Sequence, residues 1–575
     1  MSLTYEEIRG LNWFIADQVR DKGNGNNNDA MSIAIPILIF KRLLDMRTEF
    51  KNQFNSSKYP EQYNIMQLYG DIDQAIANYQ NNASVFAVKS DKLDFYRLQW
   101  SDILNFPDDH NTEEAREYTD GFGGKFYSKS TDKVEFIEEI ITSFQNNKIS
   151  EIFNYLDFKT KINSNNITQI LTYEEFVKLL KEMNKYELSL TNAPSDVFSE
   201  AYMDLLKRFS PQKGSKQGEF HTPNTIAKGL VRCVDPSFLE EGITVIGDPT
   251  SGACTFMTEA VEYMIDKEKS KLGEDRLSPI SRQKLLEKLQ IVIQEKDRVS
   301  FAAGEANLLL HDLLDRTEAY HGNTITEFLI KIAAKWLAKV NYIFANPPFG
   351  LDDYGVDYAT DMKKEGKDLE RWGFGVPNPS DGEFAFLQTI LSLISNSSPV
   401  AKGGIVLPLG TLFRDSTLNQ RKIFIEQNDW VEGIILLPGK LFNTTDIPVC
   451  FWIINKNKNE SDKGKIFFIN AEHDFKKVKN KNDLLIEKIE KNYVSRIEEE
   501  GYSTYISLEN IKKNNFDLSV NKYVKKVKEK EIININETLF NIDKLKSELK
   551  EEEKSIFNLF EQVQFIYKNI NLGEK

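Results

Sequence analysis

Across roughly the first 190 residues the apolar positions recur at helical intervals. Trp13, Phe14, Ala16 and Val19 fall on one stripe, Ile33 to Leu44 forms a second apolar stretch around Pro36, and Val134 to Phe144 and Thr172 to Leu180 predict two more helices. Gly23 to Asn28 and Gly214 to Gly218 read as surface loops on composition. From Thr244 the pattern changes to short β-branched runs separated by helical segments: Thr244 to Gly247, Leu289 to Gln294, Tyr342 to Ala345, Gly404 to Leu407, Val431 to Leu437 and Val449 to Ile454. Near-continuous apolar strands predict a sheet covered on both faces, hence an open α/β domain, and such sheets hold ligands beyond the carboxyl ends of their strands. After Ser461 the chain turns rich in Lys, Asn and Glu, and Lys476 to Lys488 reads as a solvated stretch. Near the end, Ile542, Leu545, Leu549, Glu552, Ile556, Leu559, Val563 and Ile566 step by threes and fours, predicting a helix with one apolar seam that either packs on its own domain or docks on a partner helix.

Composition narrows the functional classes. A chain of 575 residues has room for several buried cores. Its 73 Lys plus Arg against 87 Asp plus Glu leave a net charge of -14, which argues against a uniformly basic surface that coats nucleic acid; any DNA contact is expected to be local or shared. Cys233, Cys254 and Cys450 are too few and too scattered for a disulfide framework or a thiolate metal cage, as in a reducing cytosol. The acidic amino terminus does not read as an export signal, and no apolar window approaches the roughly 20 residues that cross a bilayer. A soluble, cytoplasmic protein without a membrane partner is expected.

The chemically suggestive residues sit at the ends of the predicted strands. Asn346-Pro347-Pro348-Phe349-Gly350 follows one of them. Two prolines fix their φ angles and supply no N–H, so the loop is rigid and its carbonyls are aimed acceptors. Asn346 adds an amide oxygen and Phe349 a flat face, a combination suited to gripping an exocyclic amine and its ring. The plainer alternative, a strand-ending turn over a buried Phe, accounts less well for the complete string. Asp248-Pro249-Thr250-Ser251-Gly252-Ala253-Cys254 also follows a strand, and its small residues permit close backbone approach to a cofactor. It lacks the GxGxxG dinucleotide pattern. Glu295, at the end of the next strand, suits a pair of ribose hydroxyls, although a carboxylate at a helix start is the bland reading. The five histidines form no HExxH site, no metal is required, and no GxxxxGK[ST] motif is present to drive ATP-dependent translocation. No cysteine lies in the 346–350 loop to attack a pyrimidine ring.

Taken together, Asp248 to Cys254, Glu295 and Asn346 to Gly350 resemble the amino-methyltransferases, and specifically the modification subunits of type I restriction-modification systems. Further segments match that family in order: Leu11 to Asp45, Gly218 to Pro223, Ala306 to His311, Asp381 to Phe386, Gly403 to Pro408, Leu437 to Phe442 and Phe516 to Ser519. The resemblance implies an α/β fold: a Rossmann-like S-adenosylmethionine-dependent methyltransferase core at 191–475, a helical amino-terminal domain at 1–190 and a carboxy-terminal region at 476–575 with a partner-docking helix. It places the cofactor against Glu219, Phe220, Thr222, Pro223, Asp248, Thr250, Ser251, Gly252, Glu295 and Asn323. Phe220, Thr222 and Pro223 would line its methionine side and Glu295 its ribose. Asn346 and the Pro347 carbonyl would hold a flipped adenine N6, with Pro348 stiffening the loop and Phe349 stacking on the base. Family members commonly carry a small residue or glycine where Cys254 stands and an Asp where Asn323 stands. The implied activity is site-specific N6 methylation of adenine in double-stranded DNA, in a complex of two methylase copies with one specificity subunit, joined by a motor-nuclease subunit for restriction. A non-catalytic scaffold with a methylase-like core, or methylation of RNA or of a protein glutamine, are the competing readings.

Overall fold

Among the described residues nine strands join in one sheet, whose central strands are buried on both faces. The computed structural model describes residues 3–20, 27–54, 98–108, 115–120, 125–143, 147–156, 162, 170–189, 192–193, 198, 201–202, 204–205, 222–273, 279–311, 313–330, 340–394, 398, 400–442, 445–478, 481–525 and 535–571. In chain order the strands are β1 (Arg116–Thr119), β2 (Lys125–Ser128), β3 (Thr244–Asp248), β4 (Leu289–Glu295), β5 (Thr317–His321), β6 (Val340–Ala345), β7 (Lys402–Pro408), β8 (Val431–Leu436), β9 (Val449–Asn455), β10 (Lys465–Asn470), β11 (Phe475–Val478), β12 (Lys481–Leu484) and β13 (Ser503–Ser507). The large sheet runs β13-β10-β8-β9-β7-β6-β3-β4-β5. Pairing is parallel from β5 through β7, whereas β9 runs antiparallel to both its neighbours and β13 antiparallel to β10.

Alternate residues along each strand feed two cores. Ile246, Ile293, Tyr342 and Phe344 point into one, and Val245, Val292, Ile343 and Ala345 into the other. The first core is continuous with the helical amino-terminal region: the Arg298–Leu310 helix packs on the Asn27–Phe54 and Asn147–Leu156 helices. The second is covered by the Gly382–Leu393 helix, in which Phe384, Leu387 and Ile390 are buried.

All six strands read from the sequence are present. Of the predicted helices, residues 33–44 lie wholly buried in the Asn27–Phe54 helix around Pro36, and Thr172 caps the Tyr173–Met183 helix through the Glu175 N–H. The Val134 stretch begins in the Lys133–Ser143 helix, with Phe144 outside the described residues. The first helix, Tyr5–Arg20, buries Ala16 and Val19 of the expected stripe, but Ile8, Leu11 and Ile15 complete its core face, while Trp13 and Phe14 are half-buried. Trp13 flanks the seam because the Arg9 guanidinium stacks 4.0 Å above its ring. Asn27 and Asn28 begin a helix instead of continuing a loop; Gly23 to Asn26 and Gly214 to Gly218 lie outside the described residues.

Beyond residue 460 the sequence reading misses structure. Lys476 to Lys488 is not a bare solvated stretch: β11 and β12 pair as a hairpin, with Leu484 buried beside Gly229 of the Asn224–Val234 helix. The sheet also continues past residue 475 through β13, and the chain divides into units Met1–Lys525 and Lys526–Lys575. The second unit carries a helix of 37 residues, Ile535–Asn571. On it Ile542, Leu545, Leu549, Ile556, Leu559 and Val563 are exposed, as are Phe540, Phe557, Phe560 and Phe565 beside them. Among the described residues no helix is long and apolar enough to cross a membrane.

Candidate active site

The chain leaves β3 toward β4 and β5, then returns to place β6 on the other side of β3. Such a reversal opens a crevice at the carboxyl ends of the two central strands. Gly247 of β3 lies opposite Ile343 of β6, so Asp248 and Asn346 leave the sheet side by side at that crevice.

On the β3 side, Asp248 is buried at the strand end. Its Oδ1 accepts the Thr250 N–H at 2.8 Å, and its Oδ2 has no partner among the described residues. Burial pushes this carboxyl up to about 8; the Thr250 N–H opposes the shift and the nearby Glu295 charge adds to it. Glu295, at the end of β4, clasps the same loop: its Oε2 accepts the Gly252 N–H and its Oε1 the Asp297 N–H, each at 2.8 Å. Burial raises this carboxyl too, against those N–H donors. Each carboxylate oxygen has a second lone-pair direction, so the clasp leaves Glu295 able to accept further donors. The Ser251 N–H donates to the Gln294 carbonyl at 3.1 Å, and the Thr324 hydroxyl to the Pro249 carbonyl. Asn323 is half-buried, its Oδ1 taken by the Ile325 N–H at 3.0 Å in an Asx turn; the neighbouring Gly322 N–H reaches the Glu295 carbonyl at 2.9 Å.

On the β6 side, Asn346 donates from Nδ2 to the Thr222 hydroxyl at 3.1 Å, and its buried Oδ1 has no partner among the described residues. Thr222 therefore fixes which way the amide faces and leaves the acceptor end free. Pro223 is buried and precedes the Asn224–Val234 helix. Pro347 and Phe349 are buried and Pro348 is half-buried. The Phe349 ring meets Phe442 edge-to-face at 5.7 Å. Glu219 and Phe220 lie outside the described residues.

The profile of the family described as N-6 DNA Methylase matches residues 193–532. The chain belongs to that family. It is 32% identical over 416 residues to the type I restriction enzyme MjaVII methylase subunit of Methanocaldococcus jannaschii, covering 70% of this chain and 64% of that protein. To the MpnII methylase subunit of Mycoplasma pneumoniae it is 25% identical over 420 residues, covering 71% of each. Among solved structures, the type I restriction-modification methyltransferase subunit of Streptococcus thermophilus superposes with a TM-score of 0.67 at 19% identity, over 91% of this chain and 100% of that one. At that identity the likeness speaks to the fold.

Two residues that shape the site of this N-6 DNA methylase, Asn307 and Gly304, were given no role from the sequence. Asn307 is buried in a helix whose only other buried polar side chain is Glu305, and it donates to the Ala253 carbonyl at 2.9 Å, holding the loop after β3 from below. One buried amide in Phe301 to Leu310 was the available signal. Gly304, on the same helix, lets it approach that loop: a Cβ there would sit 2.6 Å from the Gly252 carbonyl oxygen. Cys254 is fully buried with φ of 59°, a left-handed position that favours glycine, which accounts for the residue usual at this point in the resemblance. Burial drives its thiol well above the ordinary range, so it is a packed side chain and not a nucleophile.

Two outcomes follow from the loop after β3. Gly304→Ala is expected to lower the denaturant midpoint, costing about 1–3 kcal/mol through overpacking against backbone; an unchanged midpoint would show that the helix can back away. A carboxyl raised in the folded state binds more protons folded than unfolded, so its contribution to stability falls as pH rises from the ordinary carboxylate range through about 8. Asp248→Asn mimics the protonated form, and its Tm relative to the parent should increase across that window. A pH-independent difference would contradict the shift.

Proposed function

We propose that this chain is the modification subunit of a type I restriction-modification complex, and that it methylates N6 of an adenine rotated out of double-stranded DNA, using S-adenosylmethionine. The observation that carries the reading is the Asn346 amide: its donor end is tied to Thr222 and its acceptor end is buried and free. A buried acceptor without a partner costs roughly 1–3 kcal/mol, which an incoming N–H recovers. An adenine N6 presents two such hydrogens, one for Asn346 Oδ1 and one for the Pro347 carbonyl.

The residues after β3 fit the cofactor. Asp248 and Glu295 are two neighbouring carboxyls raised by burial, and Asp248 Oδ2 faces no donor among the described residues; both features suit a cationic, donor-rich ligand. Glu295 would take the ribose hydroxyls, with Thr250, Ser251, Gly252, Asn323, Thr222, Pro223, Glu219 and Phe220 around the rest. When bound, S-adenosylmethionine supplies an electrophilic methyl group on a sulfonium. The chain's own work is positioning: Asn346 and Pro347 draw on the N6 hydrogens and orient the nitrogen lone pair, Pro348 keeps the loop from flexing, and Phe349 offsets the unstacking cost with a ring face. No side chain need form a covalent intermediate, and no cluster of metal-ligating residues occurs among the described residues.

Target recognition fits a separate specificity subunit, because the net charge of -14 favours limited backbone contacts around a focused pocket. The exposed seam of Ile535–Asn571 would dock that partner, two such chains sharing one specificity subunit, with a motor-nuclease subunit added for restriction. The complex would work in the cytoplasm.

Asn346→Ala, assembled with the specificity partner, should lose methyl transfer on the order of a hundredfold or more while keeping its assembly mass. An intact parent complex that binds the cofactor but methylates no adenine in any DNA would overturn the activity, and methylation of RNA or protein instead would redirect it. A chain truncated before Ile535 should fail to assemble when weighed by light scattering; a complex of unchanged composition would reject the docking role.

A further inference from the structure

The Pro347-Pro348 pair creates a problem that the rest of the fold has to solve. Neither proline has an N–H, so the only backbone donors the 346–350 loop can offer are those of Asn346, Phe349 and Gly350. The Gly350 N–H donates to Glu383 Oε1 at 3.1 Å. Gly350 has φ of 66°, so it is the turn that ends the rigid string, and holding its amide holds the exit of the loop.

Glu383 is an unusual handle. It is 1% exposed, in the first turn of the Gly382–Leu393 helix, whose amino-terminal dipole favours a carboxylate. Asp381, one residue before that helix, is buried to the same degree. Both face one cation: Arg414 Nη1 lies 3.3 Å from Asp381 Oδ1 and 3.6 Å from Glu383 Oε2. Arg414 is itself placed by buried Arg421, which donates to the Arg414 carbonyl at 2.7 Å and to the Phe516 carbonyl at 2.9 Å. A line of contacts thus runs from the Phe516 segment through Arg421, Arg414 and Glu383 to Gly350, hydrogen-bonded at every step except the ion pair between Arg414 and Glu383. Buried carboxylates are costly unless paired and bonded, and an apolar residue would fill this space at less cost.

We infer that Glu383 is a positioning residue for the target-gripping loop: its carboxylate, oriented by Arg414, fixes Gly350 and thereby the Pro347 carbonyl and the Phe349 ring. This rests on the reading that Asn346 to Phe349 grips the substrate base. Glu383 touches no reacting atom, so its loss degrades geometry and not binding.

The test compares the parent with Glu383→Ala, Glu383→Met and Glu383→Gln in the assembled complex. Alanine and methionine remove the acceptor, the latter without a cavity, and glutamine keeps it. Hydrogen exchange in the peptide spanning Asn346 to Gly355 should accelerate in the first two and stay protected in the third. The kcat for methyl transfer should fall on the order of a hundredfold in the first two, with KM for DNA and cofactor affinity unchanged, and recover in the third. Equal protection in all four proteins, an unaltered kcat, or a loss that glutamine fails to rescue would overturn the inference. A parent that transfers no methyl group would refute the proposed activity alone, since the exchange comparison still decides whether Glu383 holds the loop.

Discussion

The pairing of β3 with β6 is the interaction on which the rest of this protein depends. Each strand delivers one half of the site from its carboxyl end, and their register, Gly247 against Ile343, sets the two halves beside each other. That pairing requires both strands to be buried on both faces, which is why Val245, Ile246, Ile343 and Phe344 are apolar without alternation. The helices on either face therefore act on the site as well as on stability. Asn307 and Gly304 support the loop after β3 from one face, and Glu383 reaches the loop after β6 from the other.

Both loops keep buried polar atoms in reserve. Asp248 Oδ2 and Asn346 Oδ1 lack partners among the described residues, while the other ends of the same two groups are held by the Thr250 N–H and the Thr222 hydroxyl. An unpartnered buried acceptor is unfavourable in the free protein and becomes favourable only when a donor arrives, so the fold is biased toward a ligated state. The raised Asp248 carboxyl expresses the same bias in its affinity for protons. The bias is local, compatible with an overall charge of -14, because it involves a few aimed atoms and not a surface potential.

Much of the fold was legible in the sequence. Strands buried on two faces leave an unmistakable apolar run, and six of the nine strands of the large sheet were read that way. The three that were missed, β5, β10 and β13, lie toward the edges: β5 and β13 end the sheet and carry half-exposed residues, and β10 was obscured by the Lys- and Asn-rich sequence around it. Half of the first helix's stripe, Ala16 and Val19, was read correctly; Trp13 was misplaced because its large aromatic ring stacks under Arg9 at the rim of the core. The β11–β12 hairpin was missed because Lys476, Lys477 and Lys481 dominate its composition, while Leu484 alone marks its buried side.

By itself, the sequence determined which atoms could do chemistry. Asn346 carries an amide, two prolines withhold N–H groups, Asp248 and Glu295 end apolar strands, and these are local covalent facts that need no fold to be read. Only the tertiary structure decided what those atoms face. Thr222 turns the Asn346 amide from 124 positions away, Glu295 clasps Gly252 from 43, and Glu383 secures Gly350 from 33. Such contacts join segments whose separation along the chain leaves no periodic trace, since a hydrogen bond across a fold depends on the register of strands and the approach of helices and not on spacing in the sequence.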